Sequence, residues 1–325
     1  MLERLAAVTA LALIALTAPA TATTAAAYRD PDVIYAALAV QAKETLSIGG
    51  GTIDVVFADG AEGLDRGPVM DWVKTSAVAV TTYFGRFPVA HVGILIVAED
   101  DARVGQGGVT YGYNGAAIRV GVGRQAGLEA FRRDWVLVHE MTHLALPFLG
   151  DERRWAMEGS AVYVEPIARA QAGQLDPASV WRDSLTGMPK GQPDSTDQGL
   201  NHTDAWGRTY WGGATFYLLA DIAIRERTGN RLGLQDALRA INRESGGNGT
   251  YWPMEKLVSV GDAATGTDVL ATLYAQMKDS PVAPDLDTLF ARLGVALKDN
   301  EVIFDDQAPL AAIRRKLTEP PAPVL

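Results

Sequence analysis

Two histidines with a glutamate between them, His139-Glu140-Met141-Thr142-His143, are the part of this chain best equipped for chemistry. On an α-helix of about 3.6 residues per turn, positions i and i+4 share one face, so both imidazoles can reach one metal ion. Zinc in a catalytic site takes three protein ligands and keeps an open position for water. Glu140 then stands where it can take a proton from that water as it attacks a polarised carbonyl. The chain has only four histidines, His91, His139, His143 and His202. A random match to this pentapeptide pattern is a matter of roughly one in a few hundred, so the spacing is read as chemistry rather than chance.

Two imidazoles leave such a site one ligand short. A carboxylate on a second helix packed against the first is the natural third donor, and the segment Trp155 to Glu165 offers Glu158. Glu165 lies seven residues further along the same helix face. There it is expected to accept a hydrogen bond from the second nitrogen of a ligand histidine. His91 alternates with apolar strand neighbours and reads as structural.

The pentapeptide, followed by Trp155, Glu158, Gly159, Ala161 and Tyr163, resembles the gluzincin metallopeptidases, whose H-E-x-x-H is followed by W-x-x-E-G-x-A-x-Y. The likeness covers about Asp134 to Lys316 and is nearest the glycyl-aminopeptidase branch. Tyr210-Trp211-Gly212-Gly213 is similar to the Y-x-K-G element of that branch, with Gly212 where the lysine stands. The resemblance implies an α+β, thermolysin-like zincin. It implies one zinc per chain held by His139, His143 and Glu158, with Glu140 as base and the Tyr210 hydroxyl stabilising the transition state. His202, in a polar loop, is the other candidate for that last role.

One departure bears on the mode of cleavage. In the aminopeptidases an acidic residue on the strand before the metal helix binds the substrate's free α-amine, and here no Asp or Glu occurs between Asp101 and Glu129. A buried ammonium without a carboxylate partner is costly. The Gly-rich Gly105 to Gly112 stretch can instead pair with an extended peptide backbone as an edge strand does. The expectation is therefore a zinc metallopeptidase that cleaves internal bonds of peptide or protein substrates. An aminopeptidase of the same fold and a non-catalytic, zinc-containing peptide-binding module are the alternatives.

The elements that must position these residues follow from periodicity. Helices are expected over Asp32 to Leu46 and Val69 to Phe84, and strands over Thr52 to Ala58 and Ala90 to Ala98, before the Gly-rich stretch resumes alternation at Ala117 to Val122. The metal helix is expected from Leu128 to Ala145 or Leu146, where Pro147 ends it, with Leu128, Phe131, Trp135, Val138, Thr142 and Leu146 facing the core. Helices are then expected over Trp155 to Gln171, Tyr210 to Thr228, Leu234 to Asn242, Asp268 to Met277 and Leu286 to Leu293. The polar stretch Arg182 to Arg208 is too long for a simple connector and is either a cleft-lining loop or a mobile insertion.

Composition bounds the rest. The uncharged segment from Leu5 to Ala27, apolar and then rich in small residues with A-x-A sites, reads as a cleaved export signal. A secreted or periplasmic protein is expected, without stable membrane insertion after cleavage. There is no cysteine, which excludes disulfides, thiolate ligands and an acylated lipobox cysteine. A net charge of −10 offers no basic field to nucleic acid. The expected organisation is a signal over 1–27, an α/β lobe carrying the metal helix over 28–150, a helical lobe over 151–318 and a disordered tail over 319–325.

Overall fold

The computed structural model describes residues 25–320, so most of the expected export signal and most of the expected tail lie outside the described residues. The first half is a five-stranded sheet in the order β1-β2-β3-β5-β4, flanked by helices. Its elements are α1 (Pro31–Val40), β1 (Lys43–Ile48), β2 (Gly51–Phe57), α2 (Arg66–Phe84), β3 (His91–Glu99), β4 (Val104–Tyr111) and β5 (Ala117–Gly123). The three central strands β2, β3 and β5 run parallel, and β1 and β4 close the two edges antiparallel.

Alternation along the central strands sorts the two faces. Ile53, Val55, Ile94 and Ile96 join the main core with α2, whereas Val56, Leu95 and Val97 pack with Tyr28, Ile34 and Ala37. Burial on both faces is why β3 reads as an almost unbroken apolar run. The helix expected over Asp32 to Leu46 stops at Val40, and Lys43 to Ile48 form edge strand β1 instead. The pattern in β1 alternates exposed and half-buried residues, a one-sided signal.

The metal helix departs from its expected course. It is broken into α3 (Leu128–Arg133) and α4 (Val136–His143), with Asp134 extended between them. The Asp134 carboxylate accepts the backbone N–H of Leu137 and the indole N–H of Trp72, which caps a fresh helix start three residues ahead of the first histidine. Because of the break, Leu128 and Trp135 are exposed rather than core-facing, while Val138, Thr142 and Leu146 are buried as expected.

The remainder is mostly helical: α5 (Arg154–Gln171), α6 (Pro177–Gly187), α7 (Gly213–Thr228), α8 (Leu234–Ser245), α9 (Met254–Thr265), α10 (Val269–Met277), α11 (Leu286–Leu293) and α12 (Ala311–Thr318). A hairpin of β6 (Val295–Lys298) and β7 (Glu301–Phe304) precedes the last helix. The five-stranded sheet and the helical remainder make the chain α+β. One apolar cluster runs from Ile53 through α4, α5 and α7 to Leu317, so it crosses the expected lobe boundary at residue 150.

Helices α5 and α7 pack backbone against backbone. A Cβ on Gly159 would lie 2.3 Å from the Gly213 carbonyl carbon, and one on Gly213 would lie 2.2 Å from the Trp155 carbonyl oxygen. Only a glycine pair permits this approach, and it sets the third-ligand helix against the segment that carries Tyr210. No described helix is long and apolar enough to cross a membrane.

Candidate active site

The last two turns of α4 present His139 and His143 to α5, which meets them with Glu158. His139 Nε2 lies 3.2 Å from His143 Nε2 and 3.3 Å from Glu158 Oε2, and His143 Nε2 lies 3.4 Å from that same oxygen. Donors about 2.0–2.1 Å from a tetrahedral ion sit roughly 3.3–3.4 Å apart, so three sides of such a tetrahedron are already built. Two imidazole nitrogens and one carboxylate oxygen are borderline-hard donors that suit zinc. These three side chains form the one His/Asp/Glu group among the described residues with ligand atoms close enough to hold a metal.

Electrostatics agree with an ionised acid in the triangle. Burial raises the proton affinity of Glu158, but the hydrogen bonds and charges of His139 and His143 outweigh it and hold the carboxyl well below the usual range. Its other oxygen, Oε1, lies 3.6 Å from the Arg154 guanidinium, one turn earlier on α5. Arg154 also reaches the Tyr210 hydroxyl at 3.5 Å.

Glu140 points the other way, toward the sheet. The Thr110 hydroxyl on β4 lies 2.7 Å from its Oε2 and 2.9 Å from its backbone oxygen. Gly108 on the same strand leaves room for it, since a Cβ there would come within 3.0 Å of the Glu140 carboxylate. Sequence reasoning did not single out Thr110. Its signal was there to find, as the lone threonine in Gly-rich β4, which only β5 and α3 separate from the metal helix.

Tyr210 sits in a π-helical turn, Arg208–Gly212, which leads into α7. Its ring stacks on Trp206 with centroids 5.4 Å apart and runs nearly parallel to His139 at 6.5 Å. The turn is anchored by a buried ion pair, Arg208 to Asp197 at 2.9 Å, and by Arg208 donating to the Gly191 carbonyl. The stretch from Arg182 to Arg208 thus lines the cleft as an ordered series of turns, one of the two expected readings.

Two expectations need correction. Glu165 makes no hydrogen bond to either histidine. It is buried against Arg169 at 2.9 Å, and burial pushes its carboxyl up to about 7 despite that arginine. The rise along α5 carries it two turns beyond Glu158, out of reach of the imidazoles. His202 lies at the surface, paired with Asp279 at 2.9 Å, and is not among the cleft residues. His91, expected to be structural, pairs with Asp54 at 2.9 Å at the start of β3.

The ligands open on two compartments. The first, a cavity of about 700 Å³, is bounded by the end of β4 and the two residues after it, Gly108 to Tyr113, by Phe148 and Tyr251, and by Arg154 and Met157. Phe148 and Tyr251 are joined by a short bridge, and Asn248 donates to the Tyr111 carbonyl, which fixes the end of the strand. Glu140 and Glu158 are the only carboxylates among the described residues that line it. The second compartment, about 1000 Å³, shares His139, Glu140 and Tyr210 and extends toward Trp135, Trp206 and α6.

No family model and no curated protein matches the chain. Solved structures do. An aminopeptidase N family protein from Idiomarina loihiensis is similar at a TM-score of 0.56 and 15% identity, over 82% of this chain and 53% of that one. The likeness shows a shared fold over that part of the Idiomarina protein. An M1 zinc metallopeptidase from Deinococcus radiodurans is a looser match, with a TM-score of 0.47 and 15% identity over 75% of this chain and 52% of the other. The chain spans about half the length of the solved structures it matches.

Proposed function

We propose that this chain is a zinc-dependent peptidase with the catalytic arrangement of a gluzincin, using His139, His143 and Glu158 to hold the metal. The observation that carries this reading is the triangle of donor atoms, 3.2–3.4 Å on a side, with the adjacent Glu140 held separately by Thr110 in the same cleft. The fold neighbour from Idiomarina loihiensis is described as an aminopeptidase N family protein, which supports a peptidase. Zinc, when bound, supplies Lewis acidity that polarises a carbonyl and lowers the pKa of water. Glu140 accepts the proton of the attacking water and passes it to the leaving amine, with Thr110 fixing its orientation. Tyr210 donates its hydroxyl proton to the developing oxyanion, and Arg154 holds that hydroxyl from the far side.

The replacement Glu140→Gln tests the assignment. It keeps size and hydrogen bonding but cannot accept a proton, so the protein is expected to retain zinc and fold while losing peptide hydrolysis by about two or more orders of magnitude. Activity within a few-fold of wild type rejects the base. A zinc-containing peptide binder without catalysis, the other class, predicts no hydrolysis by the wild-type protein and no effect of a chelator on products.

Two observations favour different cleavage modes. The likeness to an aminopeptidase N family protein favours trimming from the N-terminus. The free edge of β4, together with a first compartment that offers no carboxylate beyond Glu140 and Glu158, favours internal cleavage of an extended backbone. Matched peptides with free and acetylated N-termini separate the two. Turnover abolished by acetylation establishes the aminopeptidase, and unchanged turnover establishes internal cleavage. We also propose action outside the cytoplasm after removal of the Leu5 to Ala27 segment, on the strength of its composition. An intact mass of the full 325 residues in protein recovered from the producing cell overturns it.

A further inference from the structure

The second compartment carries a charge opposite to that of the whole protein. Arg132, Arg133, Arg169, Arg182 and Lys190 line it, five cations, against Glu165 and Asp183 besides the shared Glu140. Arg169 is internally neutralised by Glu165, and Arg133 is paired with Glu129 at 2.9 Å. Lys190 is exposed and has no acidic partner among the described residues. In a chain of net charge −10, this surplus is concentrated beside the metal ligands.

Aromatic surface accompanies the charge. Trp135, on the metal-helix wall, is 50% exposed, and Trp206, on the opposite wall, is 59% exposed; both line the compartment. Each tryptophan leans on a residue of the site, Trp135 on His139 at 5.5 Å between ring centroids and Trp206 on Tyr210 at 5.4 Å. Exposed indoles in a concave, cation-lined space are suited to hold an apolar stem ending in a polar tip.

The strand gives the compartment a place along the substrate. Gly105 and Gly107 line the second compartment and Val109 to Tyr113 line the first, so β4 runs from the second toward the first. A peptide that adds antiparallel to β4, the more stable pairing, runs the other way. Its residues before the scissile bond then occupy the first compartment and those after it the second.

We propose that the compartment bounded by Trp135, Trp206 and Lys190 is a specificity site for a carboxylate on the C-terminal side of the scissile bond, supplied by an acidic side chain or by the chain terminus. The proposal rests on the peptidase reading for its direction, and holds for either cleavage mode. Lys190 grips the carboxylate while the indoles cover the neighbouring apolar atoms.

Binding to the Glu140→Gln protein, followed by tryptophan fluorescence and calorimetry, tests this without turnover. The probes are one peptide with Glu, Gln or Lys two residues after the intended scissile bond, each made with a free and an amidated C-terminus. The free-acid Glu peptide is expected to bind about tenfold more tightly than the amidated Lys peptide. Adding Lys190→Glu removes or reverses the preference, and Arg29→Glu, an equal change in net charge on the opposite face of the sheet, leaves it in place. Loss of the preference on Glu-to-Gln exchange assigns it to a side chain, and loss on amidation assigns it to the terminus. Equal affinity for all six peptides, or a preference untouched by Lys190→Glu, overturns the proposal. Selective binding without any hydrolysis by the wild-type protein overturns the peptidase reading alone.

Discussion

The metal triangle and the tyrosine arm stand side by side in one cleft but are held by different kinds of force. His139, His143 and Glu158 are each placed by regular helices whose faces are buried in the main core, with Val138, Met141 and Leu144 on one side and Ala156, Gly159 and Ala161 on the other. Tyr210 is placed by an irregular π-turn that depends on one buried ion pair and on glycine contacts, including Gly191 against Gly212. A ligand set fixed by helix periodicity tolerates loss of any single neighbouring contact. An arm fixed by a few polar contacts does not.

Replacing a ligand should break the triangle and spare the arm. His143→Ala is expected to lose stoichiometric zinc and to bring hydrolysis to background, with the fold kept; undiminished zinc content in that variant sinks the ligand assignment. On the arm, Tyr210→Phe removes only the hydroxyl. A loss in kcat of about a hundredfold or more, with zinc content and KM little changed, is the expected signature of one oxyanion donor. A kcat within a few-fold of wild type instead makes Tyr210 a packing residue.

Asp197→Asn sharpens the contrast, because it touches neither ligand nor reacting group. It leaves Arg208 buried without its counter-charge, which costs about 3–5 kcal/mol where the structure cannot relax. The expected result is a kcat reduced about tenfold at full zinc occupancy, as the turn carrying Tyr210 loosens. An unchanged kcat shows that the glycine contacts alone hold the arm.

The smallest effect concerns Glu165, which the chemistry does not use. Folded Glu165 keeps its proton up to about 7, whereas an unfolded one gives it up near 4.5. Between those values the native state binds the extra proton, so its contribution to stability is full below about 4.5 and is lost as pH rises through 7. Glu165→Gln should flatten that part of the stability profile without altering activity at pH 6. Identical slopes of melting temperature against pH in the two proteins count against the shifted carboxyl.

The same division decides what could be seen in the sequence. Spacings of three and four on one helix placed His139, Glu140 and His143 together, and the following Glu158 needed only two helices in contact. Glu165 was misplaced by that reasoning, since sharing a helix face with Glu158 says nothing of the two turns of axial distance between them. Thr110 and Arg154 act across elements, where sequence separation carries no periodic signal. The break at Asp134 was legible in principle, because an aspartate before an apolar run is a cap signal, but the continuous apolar stripe masked it. Helix α6 begins with Asp176-Pro177, an equally plain start signal, and runs on into the polar stretch from Arg182 whose composition read as loop.

The uninterrupted apolar cluster from Ile53 to Leu317 has a thermodynamic consequence. Sheet, metal helix and third-ligand helix share their buried surface, so neither half can melt and leave the other its core. Heat should therefore abolish the site and the fold in one cooperative step, with the loss of bound zinc, of activity and of helical circular dichroism falling on a single transition curve.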